Sequence, residues 1–593
     1  MAVNGAAQCW PVSPTHTMPI CGGVMYRKRV LGLAALTGLL GAGVPAVAQQ
    51  AGAPDAGTIL RDLRSGTPAR TPQAPPRGAG KVVIPAEGPK FLLKDVVADG
   101  ASLLTAEQLR AAYADYLGRE LTAGQLKELA ARVADAYRDS GYFARVLVPP
   151  QDVTDGVVRL IVVEGRFGSA RMVGDGGRRI DNEYVVRVVT QRLKPGQPYS
   201  MADLERGVLL ANDLAGTRVD ASLEAGVAAG TSDLAVAIRD LEPVDVSVGA
   251  TNYGSKSTGS IQSSATMAFN GVAGLGDRLL LVTSLSDGMK YGRGDYNAPI
   301  GTSGLRGSVS VSTLRYSLVG AFEKLGASGR ATTFSADLRY PVIRAEATNF
   351  WVTAALERTH YADFALGDRV HDKVVSLASI GLAFDHFDQV LGGGQTQFSL
   401  RLADARLDLD RMPIDKLLDG LGPRAQGHTS LVRWEIRRAQ TLNWFDASGL
   451  YARVSLAGQL ASGNLDSSLK FSLGGASGVR GYPSGEAAGD HGAIGSTELH
   501  KRFDRVDAYV FLDAGVVWQH AEPWVNWDSG SGQANRYRLQ SAGLGASYVL
   551  PAGQVLSVTV ARPVGSHAGS QAGKNQDGTQ IGTRVWASLN ASF

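Results

Sequence analysis

The chain has 593 residues, of which 19% are charged, and its formal net charge at pH 7 is only +4. So small a charge excludes the strong electrostatic field by which a basic protein attracts nucleic acid, and we expect no nucleic acid among its partners. The 73 glycines are about 12% of the residues, against ~7% in ordinary proteins, and favour β-structure with many turns over helical bundles.

Residues 1–48 are predicted to be an export signal, with the true start interpreted as Met25. A basic start at 27–29 precedes an apolar run over 30–43, and the small-residue exit Ala46-Val47-Ala48 follows. The apolar run is too short for a transmembrane helix, which needs ~20 residues. Both cysteines, Cys9 and Cys21, precede the predicted cut, so we expect a mature chain without disulfides or thiolate metal sites.

Residues 49–88 are predicted to hold one short helix and a linker. Ile59, Leu60 and Leu63 fall on one side of a possible helix, and the Pro-rich sequence "TPARTPQAPPRGAG" follows it. A helix this short is marginal in water by itself, so a disordered segment remains the alternative.

Two small α/β units are predicted next, over 89–166 and 167–242. In the first, a strand from Phe91 precedes two helices that each open on a threonine, at Thr105 and Thr122, and a β-hairpin follows. The second unit repeats this order of strand, two helices and hairpin in abbreviated form.

From 243 to 593 the helical period disappears and apolar residues alternate with polar ones, as in "QTQFSLRLA". A soluble sandwich and a membrane barrel can both supply such two-faced strands. About 350 residues of nearly continuous β-structure in an exported chain favour a membrane β-barrel of roughly 16 antiparallel strands. The last strand, with the terminal Phe593 on its apolar face, ends as bacterial outer-membrane barrels commonly do.

One wall strand carries a candidate functional carboxylate. Within "YVFLDAGVVW", alternation sends Val510 and Leu512 to lipid and turns Tyr509, Phe511 and Asp513 toward the lumen. We therefore expect Asp513 to face the inside of the barrel.

An ordered set of motifs carries a family resemblance over nearly the whole mature chain. The set comprises "DSGYFARVLVPPQDVTDGVVRLIVVEG", "TNYGSKSTGS", "DLRYPVIR", "VRGY", "FLDAG" and "GLGASYVLPAGQVLSVTVARPVG". With these, the chain resembles the TpsB family of outer-membrane transporters of two-partner secretion, of the haemolysin secretion/activation type. The resemblance implies that the α/β units are POTRA domains, that the N-terminal helix plugs the pore, and that the loop around 474–492 folds inward.

The resemblance also implies a pairing inside the lumen. The loop motif consists of Val479, Arg480, Gly481 and Tyr482, and the wall motif of Phe511, Asp513 and Gly515. Arg480 would reach Asp513 through a charge-assisted fork of hydrogen bonds. The alternative is that Arg480 is a solvated residue of an extracellular loop.

No enzyme, metal or cofactor is predicted. In "FDHFD", alternation is expected to separate His386 from Asp385 and Asp388, which favours a polar wall cluster over a metal site. "GVAGLGD" follows no parallel-sheet unit and is interpreted as a hairpin turn rather than a phosphate loop. The nine histidines are scattered, and no nucleophile with an adjacent base stands out.

The resemblance implies export of an unfolded TpsA-type exoprotein, an adhesin or haemolysin, through the outer membrane of a Gram-negative bacterium. Outer-membrane lipid and lipopolysaccharide would surround the barrel, the barrel-assembly machinery would insert it, and a monomer is expected. Two alternatives remain open: an assembly factor of the same superfamily, which inserts other barrels, and a diffusion porin with a soluble extension.

Overall fold

A computed structural model of the chain describes residues 54–65, 90–228, 231–442, 449–570 and 572–593. The predicted export signal and the Pro-rich linker lie outside these residues. The first described element is helix α1, Ala56–Ser65, on which Ile59 and Leu60 are buried and Leu63 is partly buried.

The first α/β unit packs two helices on a three-stranded sheet. Its elements in chain order are β1 Phe91–Leu92, β2 Asp95–Asp99, α2 Ala106–Tyr113, β3 Glu120–Leu121, α3 Ala123–Asp139, β4 Ala144–Leu147 and β5 Val157–Glu164. Threonines open both helices with capping boxes, as predicted, since Thr105 and Thr122 each accept the N–H of the glutamine three residues on. The strand predicted from Phe91 is instead two short strands, because β1 pairs with β3 while β2 pairs with β5.

The sheet of this unit has the order β2-β5-β4, with β2 parallel and β4 antiparallel to β5. Its core includes Leu129, Val133 and Tyr137 of α3. At the end of β5 the carboxylate of Glu164 accepts hydrogen bonds from both N–H and hydroxyl of Ser102, and from Tyr137. Burial alone would raise the pKa of Glu164, but these hydrogen bonds lower it.

The second α/β unit repeats the same topology. Its elements are β6 Arg166–Val173, α4 Asn182–Val189, α5 Met201–Asn212, β7 Thr217–Ala225 and β8 Thr231–Asp240, and the sheet order is β6-β8-β7 with β6 parallel to β8. Arg206 of α5 is buried against the barrel, where its guanidinium donates to the carbonyl of Pro341 at 2.6 Å. This end of the barrel therefore faces the α/β units.

Within the described residues, sixteen antiparallel strands close into one barrel, as the sequence predicted. The first eleven are β9 Val244–Thr251, β10 Gln262–Asn270, β11 Arg278–Ser286, β12 Met289–Pro299, β13 Arg306–Ser317, β14 Ser328–Arg344, β15 Thr348–Ala365, β16 Asp368–Asp388, β17 Gly394–Asp408, β18 Gly427–Thr441 and β19 Leu450–Ala461. Helix α6, Pro413–Leu421, lies between β17 and β18.

A long loop, which we call the inner loop, runs over 462–490 after β19. It contains the short paired strands β20 Phe471–Ser472 and β21 Ala488–Gly489. The last five barrel strands follow: β22 His491–Phe503, β23 Val506–Trp518, β24 Arg536–Val549, β25 Val555–Pro563 and β26 Arg584–Ser592. Because β9 starts at the end that faces the α/β units and strands alternate in direction, the inner loop starts from the opposite end.

The barrel exposes large apolar side chains on its outer face, as a lipid-facing wall requires. Exposed examples on six different strands are Val309, Phe334, Leu356, Ile380, Leu512 and Leu544. The terminal Phe593 is exposed as well, and its backbone exchanges hydrogen bonds with Val246 of β9. The last residue thus takes part in closing the barrel. No helix among the described residues is long and apolar enough to cross a membrane.

Candidate functional site in the barrel lumen

The middle of the inner loop is buried inside the barrel. Val479, Tyr482 and Ala487 have no exposed surface, and they form one apolar cluster with Leu473 of the same loop and with residues of the wall strands β23 and β24. A solvated extracellular loop would leave such side chains in water. The inner loop therefore has its own apolar core against the wall.

The structure brings Arg480 of this loop and Asp513 of β23 together. The backbone N–H and the Nε of Arg480 both donate to Oδ2 of Asp513 at 3.0 Å, and Nη2 donates to Oδ1 at 2.7 Å. The Asp513 side chain is fully buried and that of Arg480 is 9% exposed. A planar guanidinium that meets both carboxylate oxygens fixes orientation as well as distance.

Wall residues satisfy the remaining polar atoms of this pair. Ser496 of β22 and Ser541 of β24 donate to Asp513, and Nη1 of Arg480 donates to Glu498 at 2.5 Å. The indole N–H of Trp586 donates to the Arg480 carbonyl at 2.7 Å. Breaking the Arg480 contact would leave the buried Asp513 carboxylate without its cation, which is the costly case for a buried ion pair.

One side chain of the wall motif, Phe511, and two loop glycines make the close approach possible. The guanidinium lies 3.5 Å from the centre of the Phe511 ring, a cation–π contact. A Cβ on Gly481 would sit 2.8 Å from Cβ of Ser541 and 2.9 Å from the backbone N of Pro563, and one on Gly478 would sit 2.1 Å from the Leu473 carbonyl oxygen. A larger residue at 481 would push the loop off the wall, and one at 478 would clash with the loop's own backbone.

A polar chain continues from Glu498 along the wall. Its second oxygen contacts His500 Nε2 at 2.9 Å, and His500 Nδ1 contacts Asp507 at 3.2 Å. The His500 ring is stacked between Tyr451 and Tyr509, with centroids 4.6 and 4.8 Å away. The Arg480 contact is thus embedded in a packed network that spans β19, β22 and β23.

Helix α1 also lies in the lumen, against a different part of the wall. Its buried Ile59 and Leu60 join an apolar cluster with wall residues of β12–β18 and with Leu465 and Leu469 of the inner loop. A lumen position of this kind narrows the path through the barrel.

A buried lysine ties α1 to both the wall and the inner loop. Nζ of Lys373, on β16, donates to Asp55 at 2.6 Å and to Asp466 at 2.7 Å, and the Ser467 hydroxyl donates to Asp55 at 2.7 Å. Burial would raise the pKa of the Asp55 carboxyl, but the charge and hydrogen bond of Lys373 hold it well below its usual range. Asp55 is therefore ionised at neutral pH.

Helix α1 makes further polar contacts with the wall and the inner loop. The Ala56 N–H donates to Asp363 at 3.0 Å, and Arg61 donates to the Ser467 carbonyl at 3.1 Å. Arg64 pairs with Glu357 at 2.9 Å, with side chains 40% and 28% exposed.

The sequence analysis missed residues that complete the contact of Arg480 with Asp513 and the contact that holds α1 at Asp55. Ser496 and Glu498 could have been found, because they lie two residues apart on β22 and pair with the lumen-facing Asp513 and Phe511 of β23. Lys373 and Asp466 gave no such signal, because their meeting depends on how the inner loop folds.

The prediction for "FDHFD" was wrong for Asp388, which was expected on the face opposite to His386. Residues two apart on a strand share a face, so His386 and Asp388 lie together while Asp385 points to the opposite face. Asp388 pairs with Arg438 at 2.7 Å, and His386 contacts Thr348. Within the described ranges, no group of three or more His, Cys, Asp or Glu side chains could hold a metal ion.

Comparisons with known proteins agree with this architecture. The sequence model of the haemolysin secretion/activation protein ShlB/FhaC/HecB matches residues 230–553, and that of the ShlB-type POTRA domain matches residues 91–165. The heme/hemopexin transporter protein HuxB of Haemophilus influenzae strain 86-028NP is 26% identical over 460 residues, which cover 76% of this chain and 80% of HuxB. The outer membrane transporter CdiB of Dickeya dadantii is 23% identical over 455 residues, with 74% of this chain and 78% of CdiB covered.

Solved structures show the same fold at low sequence identity. CdiB from Escherichia coli superposes with a TM-score of 0.63 at 18% identity, covering 96% of this chain and 100% of that one. BamA from Haemophilus ducreyi lacking POTRA domains 1–3 gives a TM-score of 0.52 at 15% identity, covering 85% of this chain and 100% of that one. A closed barrel of this kind is therefore a recurrent fold.

Proposed function

Because the chain belongs to the family of haemolysin secretion/activation proteins ShlB/FhaC/HecB, we propose that it is the outer-membrane pore through which an unfolded TpsA-type exoprotein is exported by two-partner secretion. The observation that carries this proposal is the closed barrel with the inner loop fixed in its lumen by Arg480 and Asp513. A diffusion porin needs neither this loop nor two α/β units at one end of its barrel. Family membership likewise favours export over assembly of other barrels.

The α/β units capture the exported chain in the periplasm. Each unit has a three-stranded sheet, whose outer strands are β2 and β4 in the first unit and β6 and β7 in the second. An extended polypeptide can add to such an edge through backbone hydrogen bonds, which suits a cargo that arrives unfolded. This role requires a periplasmic location for both units, and a signal peptide over residues 1–48 would direct the chain there.

The barrel is embedded as a monomer in outer-membrane lipid and lipopolysaccharide, after insertion by the barrel-assembly machinery. The exposed apolar outer face supports the lipid contact. The closed hydrogen-bonded wall supports the monomer, because a closed sheet has no edge left to pair with another chain. Helix α1 plugs the lumen until the cargo arrives, and no catalytic step is assigned to any residue.

The test is deletion of the gene and inspection of the culture medium. We expect one large secreted protein to disappear from the medium and to return when the intact gene is supplied. If outer-membrane β-barrel proteins in general decline instead, the chain is an assembly factor. If secretion is unchanged and only small solutes enter more slowly, it is a porin.

A variant lacking residues 91–164 separates capture from pore formation. Because the lipid face and the last strand are untouched, we expect a heat-modifiable barrel in the outer membrane that exports nothing. Retained export would show that the first α/β unit is not needed for capture of the cargo.

A further inference from the structure

A cavity of about 670 Å³ lies in the lumen between the C-terminal part of α1, the inner loop and the wall strands β15–β19 and β22. Its charged lining residues are mostly cationic. Those on the lumen wall and α1 are Arg61, Arg64, Arg401, Arg433, Arg437 and Arg453, against the three carboxylates of Glu357, Glu435 and Glu498. We call this cavity the arginine chamber.

The three carboxylates of the chamber are already engaged by other cations. Glu357 pairs with Arg64 and Glu435 with Arg437, while Glu498 pairs with Arg480 of the inner loop. Their negative charge is therefore largely compensated.

Among the described residues, Arg401 and Arg433 form no ion pair. Nε of Arg433 donates to the side-chain oxygen of Gln459 at 2.6 Å, and its Nη2 donates to the Leu469 carbonyl at 2.8 Å, so both of these acceptors are neutral. An arginine has five N–H donors, which leaves Arg433 further donors for a ligand. Arg401 is exposed to the lumen.

The two arginines are also direct neighbours across the sheet. Arg401 of β17 and Arg433 of β18 stand opposite each other in the antiparallel register, on the same lumen face. Like charges in this position repel and destabilise a sheet. An anion between the two guanidiniums would remove that repulsion and accept charge-assisted hydrogen bonds from both.

From this arrangement we infer that the arginine chamber is a binding site for oxyanions, and that its ligands during export are the Asp and Glu side chains of the passing polypeptide. The inference of an oxyanion site depends only on the residues of the chamber. The inference that the ligands are Asp and Glu side chains rests on the proposed function, since a translocating chain has to pass through this lumen. A ring of cationic side chains is a known way for a pore to favour anionic groups.

The test measures binding to the purified full-length protein in detergent at low salt, where electrostatic attraction is least screened. Fluorescent oligoglutamate, oligolysine and Gly-Ser peptides of equal length are compared. We expect oligoglutamate to bind best, and the double variant Arg401→Gln/Arg433→Gln to bind it about tenfold or more weakly, since two charged donors are lost. Equal binding of the three peptides by the parent protein, or unchanged binding by the double variant, would overturn the inference.

Two further variants keep the result interpretable. Arg401→Lys/Arg433→Lys retains both charges and is expected to retain most of the binding. Arg406→Gln removes an exposed arginine of the same strand that lies on the outer face near Phe334 and Leu356, and it should bind oligoglutamate like the parent. Heat-modifiability in gels confirms that each barrel is folded. Weakened binding in the Arg406→Gln control to the level of the double variant would contradict a lumen site.

Tripolyphosphate distinguishes the two sources of oxyanion. We expect it to compete with bound oligoglutamate, because both present the same anionic oxygens. If tripolyphosphate protects the protein against heat while oligoglutamate does not bind, the chamber takes free anions and the inference about the polypeptide is wrong. Loss of the proposed secretion function would appear in the culture medium instead, and it would leave the peptide measurement unchanged.

Discussion

The lumen holds two inserts that differ in how firmly they are fixed. The inner loop is continuous with β19 and β22, and its nearly buried Arg480 donates to Asp513, Glu498 and Ser496 of the wall. Helix α1 packs its buried Ile59 and Leu60 on the wall, but its ion pairs to the wall are one at the buried Lys373 and one at the partly exposed Arg64. From this difference we expect the inner loop to stay in place during export and the helix to be the insert that leaves.

The largest effect is expected when the inner loop is released from the wall. Arg480→Ala leaves a buried carboxylate without its partner, which costs ~3–5 kcal/mol for a fully buried pair and less in a wet lumen. The hydrogen-bonded wall does not depend on the loop, so we expect a normally assembled barrel that loses most secretion. Secretion is measured as cargo in the medium relative to barrel in the membrane.

Asp513→Ala should resemble Arg480→Ala, and the double variant should be little worse than either single one. Both changes remove the same interaction, and contacting residues show this kind of non-additivity. Arg562→Ala, at an exposed arginine of β25, serves as the control and should secrete normally. Additive losses of secretion, or full secretion by Arg480→Ala, would show that the pairing with Asp513 is not needed for export.

A second large effect is expected from removal of the helix. Deleting residues 49–76 opens the part of the lumen that α1 fills, so single-channel conductance in planar bilayers should rise severalfold while secretion largely survives. Unchanged conductance would rule out α1 as a plug. Lost secretion would show that the helix, like the loop, is a permanent part of the machinery.

The buried lysine allows a finer comparison of the two inserts. Asp55→Asn removes one of the two carboxylates at Lys373 and leaves Asp466 in place, so the inner loop keeps its contact while the helix loses one. Loss of a hydrogen bond between charged groups costs ~1.5–3 kcal/mol. We expect more frequent openings to the conductance of the deletion variant, with secretion close to normal. Openings as rare as in the parent would show that Asp55 does not hold the helix.

The lumen face of the wall strands and the helix starts of the first α/β unit could be predicted from the sequence, because both depend on local periodicity and capping residues. Alternation along β23 assigned Asp513 to the lumen, and the threonine caps of α2 and α3 lay where the sequence placed them. The family motif supplied Arg480 as its partner. Periodicity cannot tell which residues meet across a lumen, and so Lys373 with Asp55, or Arg401 opposite Arg433, became visible only in the fold.

The smallest effect is expected at the exposed end of α1. Arg64 and Glu357 lie 2.9 Å apart, but the side chains are 40% and 28% exposed, so water screens their attraction and competes for both groups. Pairs of this kind contribute only ~0–1 kcal/mol. Arg64→Gln should therefore raise the frequency of channel opening less than Asp55→Asn does, and it should not change secretion. If Arg64→Gln opened the channel as often as deletion of residues 49–76, this ion pair and not the buried lysine would hold the helix, and the ranking of its contacts by burial would be wrong.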